Sequence, residues 1–543
     1  MREEAVLFCA IFFALKEHLQ KHTYDVYLLV VHGMALVCIV CGYKLNKKIE
    51  FHRMVPMMQK LTGWELREYA GMGVWCCILL PLATVLPEYN LRGGLDAAVG
   101  LSLNISFLIC SILTIHILCD KVRELSLSKT KTDNVHLERI WKDLIPGVCL
   151  ASIVGTAVPY FLFKGKFGAI LLGIGILGPI LYTFLLLKLP KCLPKSFTFG
   201  EATIVAQSLV LFVNKVFLKI VYMNLNVAND QNVSTITMVA VLSVGVLVLL
   251  LRLFPVLQTT RGFYFTLLLV SIGAVTGLYL VLQDNLFMWL YEYIFYSSLK
   301  RSLFTYWLVM TGIAVLIVIY QNNCQKSDEK KTSTTVVRKY FHIIAVCVYL
   351  PGLLWDPEFL YLASIGAFCV FVLLESIRTL CVYPFGEILN IFLQVFLDER
   401  DGGQIILTHI YLLVGCSLSL WISPYDLNFA NHLPLYSGIL SLGIGDMVAS
   451  VFGTAFGKTK WAGSEKSVEG TAAAFVAQIA AIALLMYFGV DPNLTPSGHG
   501  HLIDSLVLNK IVIGIALTSL LEAWTTQIDN LVLPLFMYAV MAG

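Results

Sequence analysis

Between residues 443 and 471 the chain reads GIGDMVASVFGTAFGKTKWAGSEKSVEGT, an acid inside an apolar run followed at once by lysines, glycines and a glutamate. An ionised carboxylate such as Asp446 within a membrane helix costs about 2.5–3.5 kcal/mol on insertion scales, so it faces protein, water or a cation. At helical spacing Asp446, Ala449, Ser450, Gly453 and Gly457 share one stripe. That stripe has two readings. It can admit a bulky polar ligand, or, as the series Gly445, Ala449, Gly453, Gly457, it can pack a neighbouring membrane helix closely. On the glycines alone, packing is favoured. The next residues add chemistry: Lys458, Lys460 and Lys466 supply ammonium groups, while Gly457, Gly463 and Gly470 allow tight turns that present N–H groups to phosphate oxygens. The phosphate-binding set in and beside the loop 454–470 is therefore Gly453, Gly457, Lys458, Lys460, Gly463, Ser464, Lys466, Ser467, Glu469 and Gly470. It is not a Walker A loop, because three residues separate Gly453 from Gly457 where that motif has four, and no strand precedes it. Lysines serving only as interfacial anchors would account for the charge but not for the glycines or Glu469.

More acids and bases lie elsewhere in the second half. Glu522, Thr525, Thr526 and Asp529 recur at i, i+3, i+4 and i+7, which predicts one helical face with two carboxylates and two hydroxyls. Mg²⁺ takes one or two carboxylates and completes its shell with phosphate oxygens and water, so Asp446, Asp529 and Glu522 are the metal candidates and Asp446 and Asp529 the catalytic ones. Asp398 and Glu399 are further polar candidates. Arg338, Lys339 and His342 stand where a hydrophobic segment begins and can contact phosphate, hold a lipid head or anchor the interface.

Positioning such groups falls to membrane helices. The 543 residues are 58% hydrophobic and 13% charged, with mean hydropathy +0.79, more apolar side chain than a soluble core of this size buries. The expected fold is all-α, a polytopic transmembrane bundle of about fifteen spans. Residues 1–320 form an N-terminal multi-span region, a lipid groove or a scaffold; 321–339 is a basic cytoplasmic linker; 340–543 is the catalytic region. Even numbers of apolar runs separate the polar stretches 321–339, 397–404, 457–470 and 522–530, which places all four on one membrane face, and their lysines and arginines make it cytoplasmic. The stretch 224–236, without a basic residue and with a sequon at Asn232, reads as a lumenal loop. The N-terminus lacks a small-residue cleavage site, and the 14 cysteines read as packing residues. Of these Cys38 and Cys41 form the one Cys-x-x-Cys, and His499 and His501 lack a third ligand for a metal. A net charge of +3 gives no reason to expect nucleic acid.

The segments VVRKYFHIIAVCVYLPG (336–352), FLDERDGGQIILTHIYLLVG (396–415), the acid-and-lysine block above and SLLEAWTTQIDNLVLPL (519–535) resemble the dolichol kinase family of the eukaryotic endoplasmic reticulum. The match is specific over the last two hundred or so residues; before about residue 300 it is one of length and hydropathy. The resemblance implies transfer of the γ-phosphate of CTP to the terminal hydroxyl of dolichol, giving the lipid carrier for protein glycosylation, with the nucleotide loop at Thr454–Glu469 and the active site facing the cytoplasm. It implies dolichol and CTP as partners and a divalent cation, Mg²⁺ or Ca²⁺, as cofactor. CTP-dependent diacylglycerol kinases and, more distantly, phosphatidate cytidylyltransferases share the block. The pattern departs at Glu465-Lys466-Ser467, where two adjacent lysines are expected, and Lys458 stands where relatives can carry an acid. That leaves Lys466 as the main phosphate ligand. The rival enzyme reading is a CTP-dependent kinase of another lipid alcohol, diacylglycerol or phytol; the rival of another class is a polytopic transporter.

Overall fold

The computed structural model describes residues 3–11, 33, 59, 62–67, 70–84, 95–127, 137–163, 165, 167–224, 232–327, 334–393, 403–423, 433–488 and 505–542. Asp398, Glu399, the apolar run 24–43 apart from Gly33, with its Cys38 and Cys41, and His499 and His501 lie outside them, as does the side chain of Arg338. Every regular element among the described residues is helical, apart from one isolated bridge between Lys460 and Ser467. Ten of these helices are long and apolar enough to cross a bilayer, and five shorter apolar ones accompany them. The all-α membrane architecture is thus as expected; the count of about fifteen spans is not established.

Four helices form the inner part of the N-terminal region: α1 (Leu95–Leu127), α2 (Leu137–Leu162), α3 (Gly168–Cys192) and α4 (Phe199–Asn224). In α1 83% of the spanning window is buried, because small residues let its neighbours approach: a Cβ on Gly155 of α2 would lie 2.3 Å from Ser106 Oγ. The next four, α5 (Asn232–Leu253), α6 (Thr260–Leu282), α7 (Leu286–Phe295) and α8 (Ser298–Ser327), are peripheral. Only 11% of the α6 window is buried, and Phe265, Leu268, Leu269 and Ile272 point outward, as lipid-facing residues do. The sequon is not in a loop: Asn232 opens α5, with Val233 and Ser234 buried.

The C-terminal region holds α9 (Thr334–Trp355), α10 (Pro357–Thr379), α11 (Phe385–Leu393), α12 (Thr408–Ile422), a π-helical turn (Ile439–Asp446) running into α13 (Met447–Phe456), α14 (Val468–Tyr487), α15 (Ser505–Trp524) and α16 (Asp529–Ala542). At its centre is α16, whose residues Leu531 to Ala539 are buried without interruption. A helix apolar all round suits the core of a bundle or the bilayer, and here its neighbours enclose it. The π turn, α12 and α15 pack against it, and a Cβ on Gly415 would lie 2.0 Å from the Asn530 carbonyl oxygen.

One expectation fails locally. Glu522 to Asp529 is not one helical face, because α15 ends at Trp524 and α16 begins at Asp529. Residues 525–528 leave the helix because partners elsewhere in the chain capture the Thr526 and Ile528 N–H groups: Glu3 takes the first at 3.1 Å and Glu201 the second at 2.8 Å. Each such bond replaces an i→i−4 bond that would have continued the helix.

Replacing Gly415 by alanine should therefore destabilise the bundle by about 1–3 kcal/mol through overpacking. Thermal melting in detergent checks this, with Gly366→Ala, where nothing lies within 4 Å of the new Cβ, expected to melt at or above the unsubstituted temperature.

Candidate active site

Asp446 closes the π turn and leads into α13. Such bulged turns recur at functional sites because the shifted register aims side chains that a regular helix would not. Its carboxylate is buried, with the side chain 10% exposed, and meets two residues of α9: Lys339 Nζ at 2.5 Å and His342 Nε2 at 3.3 Å from Oδ2. Lys339 and His342 lie three apart, so one face of α9 carries both to the same acid. Lys339 is thus not a solvated anchor, and the cost of burying Asp446 is offset by charge and hydrogen bonding.

Lys466 forms the second centre. Its ammonium bonds the Glu522 carboxylate and, at 2.7 Å, the Glu522 carbonyl at the end of α15. Burial works against the charged form, but the carboxylates of Glu522, Asp529 and Asp446 outweigh it and hold the Lys466 pKa above the ordinary lysine value. The charges of Asp446 and Asp529 are thus felt at Lys466, which links the two centres electrostatically while Glu522 alone bonds the lysine. The Lys466 side chain is 33% exposed while Glu522 is 9% exposed, so a ligand reaches the lysine first.

The loop between α13 and α14 folds back on itself. Trp461 N–H donates to Lys466 O (3.0 Å), Val468 N–H to Thr459 O (2.8 Å) and Ser464 N–H to Trp461 O (3.1 Å), and Gly463 makes the reversal at φ +75°. Ser467 caps α14, its Oγ accepting from Gly470 N–H at 3.1 Å. Glu469 accepts the Thr459 N–H through both oxygens, at 3.0 and 3.2 Å. Trp461 pins the loop outward and inward: its indole N–H donates to Thr471 Oγ1 (3.0 Å) and its ring meets Trp524 edge-on at 5.0 Å. Lys458 and Lys460 extend into solvent on this scaffold.

The glycine stripe packs the two helices. A Cβ on Gly470 would lie 2.6 Å from Ala449 O, one on Gly457 2.7 Å from Ser467 Cβ, and Gly453 faces Ser467 Oγ at 3.0 Å. These contacts set the angle from which the loop leaves α13. Sequence reasoning missed the surroundings of Asp529: Arg67, Thr198, Glu201 and Gln527 converge on the turn before it. Thr198 and Glu201 do carry a sequence signal, the Thr-x-x-Glu pattern of a capping box.

Among the described residues no three His, Cys, Asp or Glu side chains stand together as a metal cluster. A cation that takes one or two carboxylates and completes its shell with phosphate and water, as Mg²⁺ does, needs no such cluster. Asp446 and Asp529 would hold it.

The family described as dolichol kinase matches residues 151–493, a stretch that includes Lys339, Asp446 and Lys466. Dolichol kinase of Mus musculus is 35% identical over 379 residues, 67% of this chain and 68% of its own length. That of Homo sapiens is 35% identical over 381 residues with the same coverage. Dolichol kinase EVAN of Arabidopsis thaliana is 36% identical over 284 residues, 51% of this chain and 47% of its own. No solved structure matches. By the extent of these matches, and with Asp446 and Lys466 inside the matched region, the chain belongs to the dolichol kinase family.

Proposed function

We propose that this chain transfers the γ-phosphate of CTP to the terminal hydroxyl of dolichol at the cytoplasmic face of the endoplasmic reticulum membrane, supplying the lipid phosphate used in protein glycosylation. The observation that carries the reading is that buried Asp446, held by Lys339 and His342, runs through α13 into an exposed basic loop whose Lys466 is bonded to Glu522. The names of the relatives supply the acceptor, and the likeness of the Thr454–Glu469 loop to CTP-dependent lipid kinases supplies the donor.

Phosphoryl transfer asks little covalent chemistry of a protein; positioning and charge neutralisation do most of it. Lys466, held in place by Glu522, meets the β- and γ-phosphates, and Lys458 and Lys460 meet the rest of the triphosphate from the loop. Backbone N–H groups around Gly463 add uncharged donors. Lys339 and His342 fix the Asp446 carboxylate. Asp446 and Asp529 provide the oxygens that hold the cation and orient the acceptor hydroxyl. The hydroxyl oxygen then bonds to the γ-phosphorus, the bridging bond to the β-phosphate breaks, CDP leaves, and the hydroxyl proton passes to one of the two carboxylates. Mg²⁺, when bound, neutralises charge that develops on the phosphate oxygens. A polyprenol tail stays in the bilayer because extracting it exposes apolar surface to water, so the reaction belongs where the helix bundle meets the aqueous phase.

Membranes containing the chain, given γ-labelled CTP or ATP with dolichol or diacylglycerol and Mg²⁺, should yield labelled dolichyl phosphate from CTP alone. Labelled diacylglycerol phosphate would point to the other lipid-kinase reading, and no lipid product at all to transport. Asp446→Asn should lower turnover at least about a hundredfold while the protein still accumulates; normal turnover removes Asp446 from the mechanism. Lys466→Met should raise KM for CTP at least about tenfold with KM for dolichol little changed, and equal effects on both would place Lys466 outside the nucleotide site.

A further inference from the structure

The turn 525–528 has no helical ladder to hold it, yet it sets where α16 begins and where Asp529 stands. Its support comes from the other end of the chain. Thr526 N–H donates to Glu3 Oε1 at 3.1 Å, and Ile528 N–H to Glu201 Oε1 at 2.8 Å. Gln527 is clasped from both sides: its Nε2 donates to Ala70 O at 3.1 Å, and Thr198 Oγ1 donates to its Oε1 at 2.6 Å. Glycine at position 73, at φ +62°, leaves room for that amide, since a Cβ there would lie 2.3 Å from Gln527 Oε1.

Glu201 is the hub of this arrangement and is fully buried. Besides the Ile528 N–H, its Oε1 accepts from Arg67 Nη2 at 2.7 Å, and its Oε2 accepts from the Thr198 N–H at 2.9 Å. A buried ion pair contributes little net stability compared with apolar residues of the same volume. What Arg67 and Glu201 do that apolar residues cannot is hold one carboxylate oxygen at a fixed point for a backbone N–H two helices away. A displacement of about 1 Å at a reacting group costs about a hundredfold in rate, so an anchor one residue before Asp529 bears on turnover directly.

We propose that Glu201, oriented by Arg67, is a positioning residue for Asp529: the N-terminal region serves the reaction by fixing the turn from which α16 and this carboxylate start. The inference rests on Asp529 belonging to the reacting site, as assigned above. It gives the N-terminal half a task beyond scaffolding.

The test uses the full chain in lipid nanodiscs, with Asp529→Asn, Glu201→Ala, Gln527→Ala and the double variant Arg67→Met/Glu201→Gln. Turnover, both KM values, and hydrogen exchange of the peptide spanning 525–533 are measured. Glu201→Ala should lower kcat at least about thirtyfold, with KM for dolichol within about twofold and faster exchange at 526–530. The double variant removes the orphaned guanidinium and keeps an amide oxygen for the Ile528 N–H at the loss of the acceptor for the Thr198 N–H, so it should recover kcat to within about fivefold of the unsubstituted chain and restore slow exchange at 526–530. Should Glu201→Ala not accumulate, Gln527→Ala carries the test, with kcat down about tenfold and the same faster exchange. If Asp529→Asn abolishes turnover while the other variants keep full kcat per folded molecule and unaltered exchange, the positioning role is refuted. Full turnover in Asp529→Asn refutes the assignment of Asp529 itself, and the inference with it.

Discussion

The ammonium of Lys466 bonds the Glu522 carboxylate at the end of α15, and the negative charges of Asp529, at the start of α16, and Asp446, in the π turn, add to the field that keeps it charged. In a setting of intermediate dielectric, a pair of unit charges a few ångströms apart interacts by about 4 kcal/mol, and removing one partner of a buried pair costs about 3–5 kcal/mol. No single carboxylate here can be deleted without leaving the others out of balance. The packing follows from this requirement. Gly415 lets α12 touch the Asn530 backbone, Gly470 lets α14 touch Ala449, and Ser467 caps α14 immediately after Lys466. Close helix contacts and a capped, folded loop are what bring long charged side chains to one point at this depth.

The charge balance also says what the site can receive. Three acids face Lys466 and Lys339, with His342 beside Asp446, so the inner cluster has no cationic surplus for a triphosphate. The surplus is on the loop, at Lys458 and Lys460, and it is exposed. An anionic substrate is therefore met first from the aqueous side and drawn toward Lys466, while the acids are left for a cation and an alcohol. A transporter that carried its substrate through the bilayer would gather such groups near the midplane; here Asp446 lies within the apolar stretch Ile439–Phe456, while Glu522 and Asp529 lie at helix ends and Lys466 in a loop.

Much of the second half could be read from the chain. Thr334–Trp355, Pro357–Thr379, Thr408–Ile422 and Val468–Tyr487 fall where apolar runs are bounded by polar stretches, because in a bilayer the backbone has no alternative to a helix. Asp446 stands out in the sequence as an acid inside an apolar run, and Lys466 as one of three lysines in the loop that follows. Their partners do not: Lys339 meets Asp446 across 107 positions, and which of several nearby basic groups does so depends on how α9 packs on the π turn. Glu522 to Asp529 looked like one helical face because the spacing is helical. The break at 525–528 is imposed by Glu3 and Glu201, 523 and 327 positions from the N–H groups they capture, and long-range hydrogen bonding of that kind leaves no local periodicity. The same distance explains why the first half read as bare hydropathy.

The most direct measurement is a map of the full chain in lipid with an unreactive CTP analogue and Mg²⁺. The expected result places the phosphates against Lys466, with the Asp446 and Asp529 carboxylates facing them and Glu522 still bonded to the lysine. A nucleotide seated away from Lys466, or Lys466 and Asp529 at opposite ends of the bundle, contradicts the account.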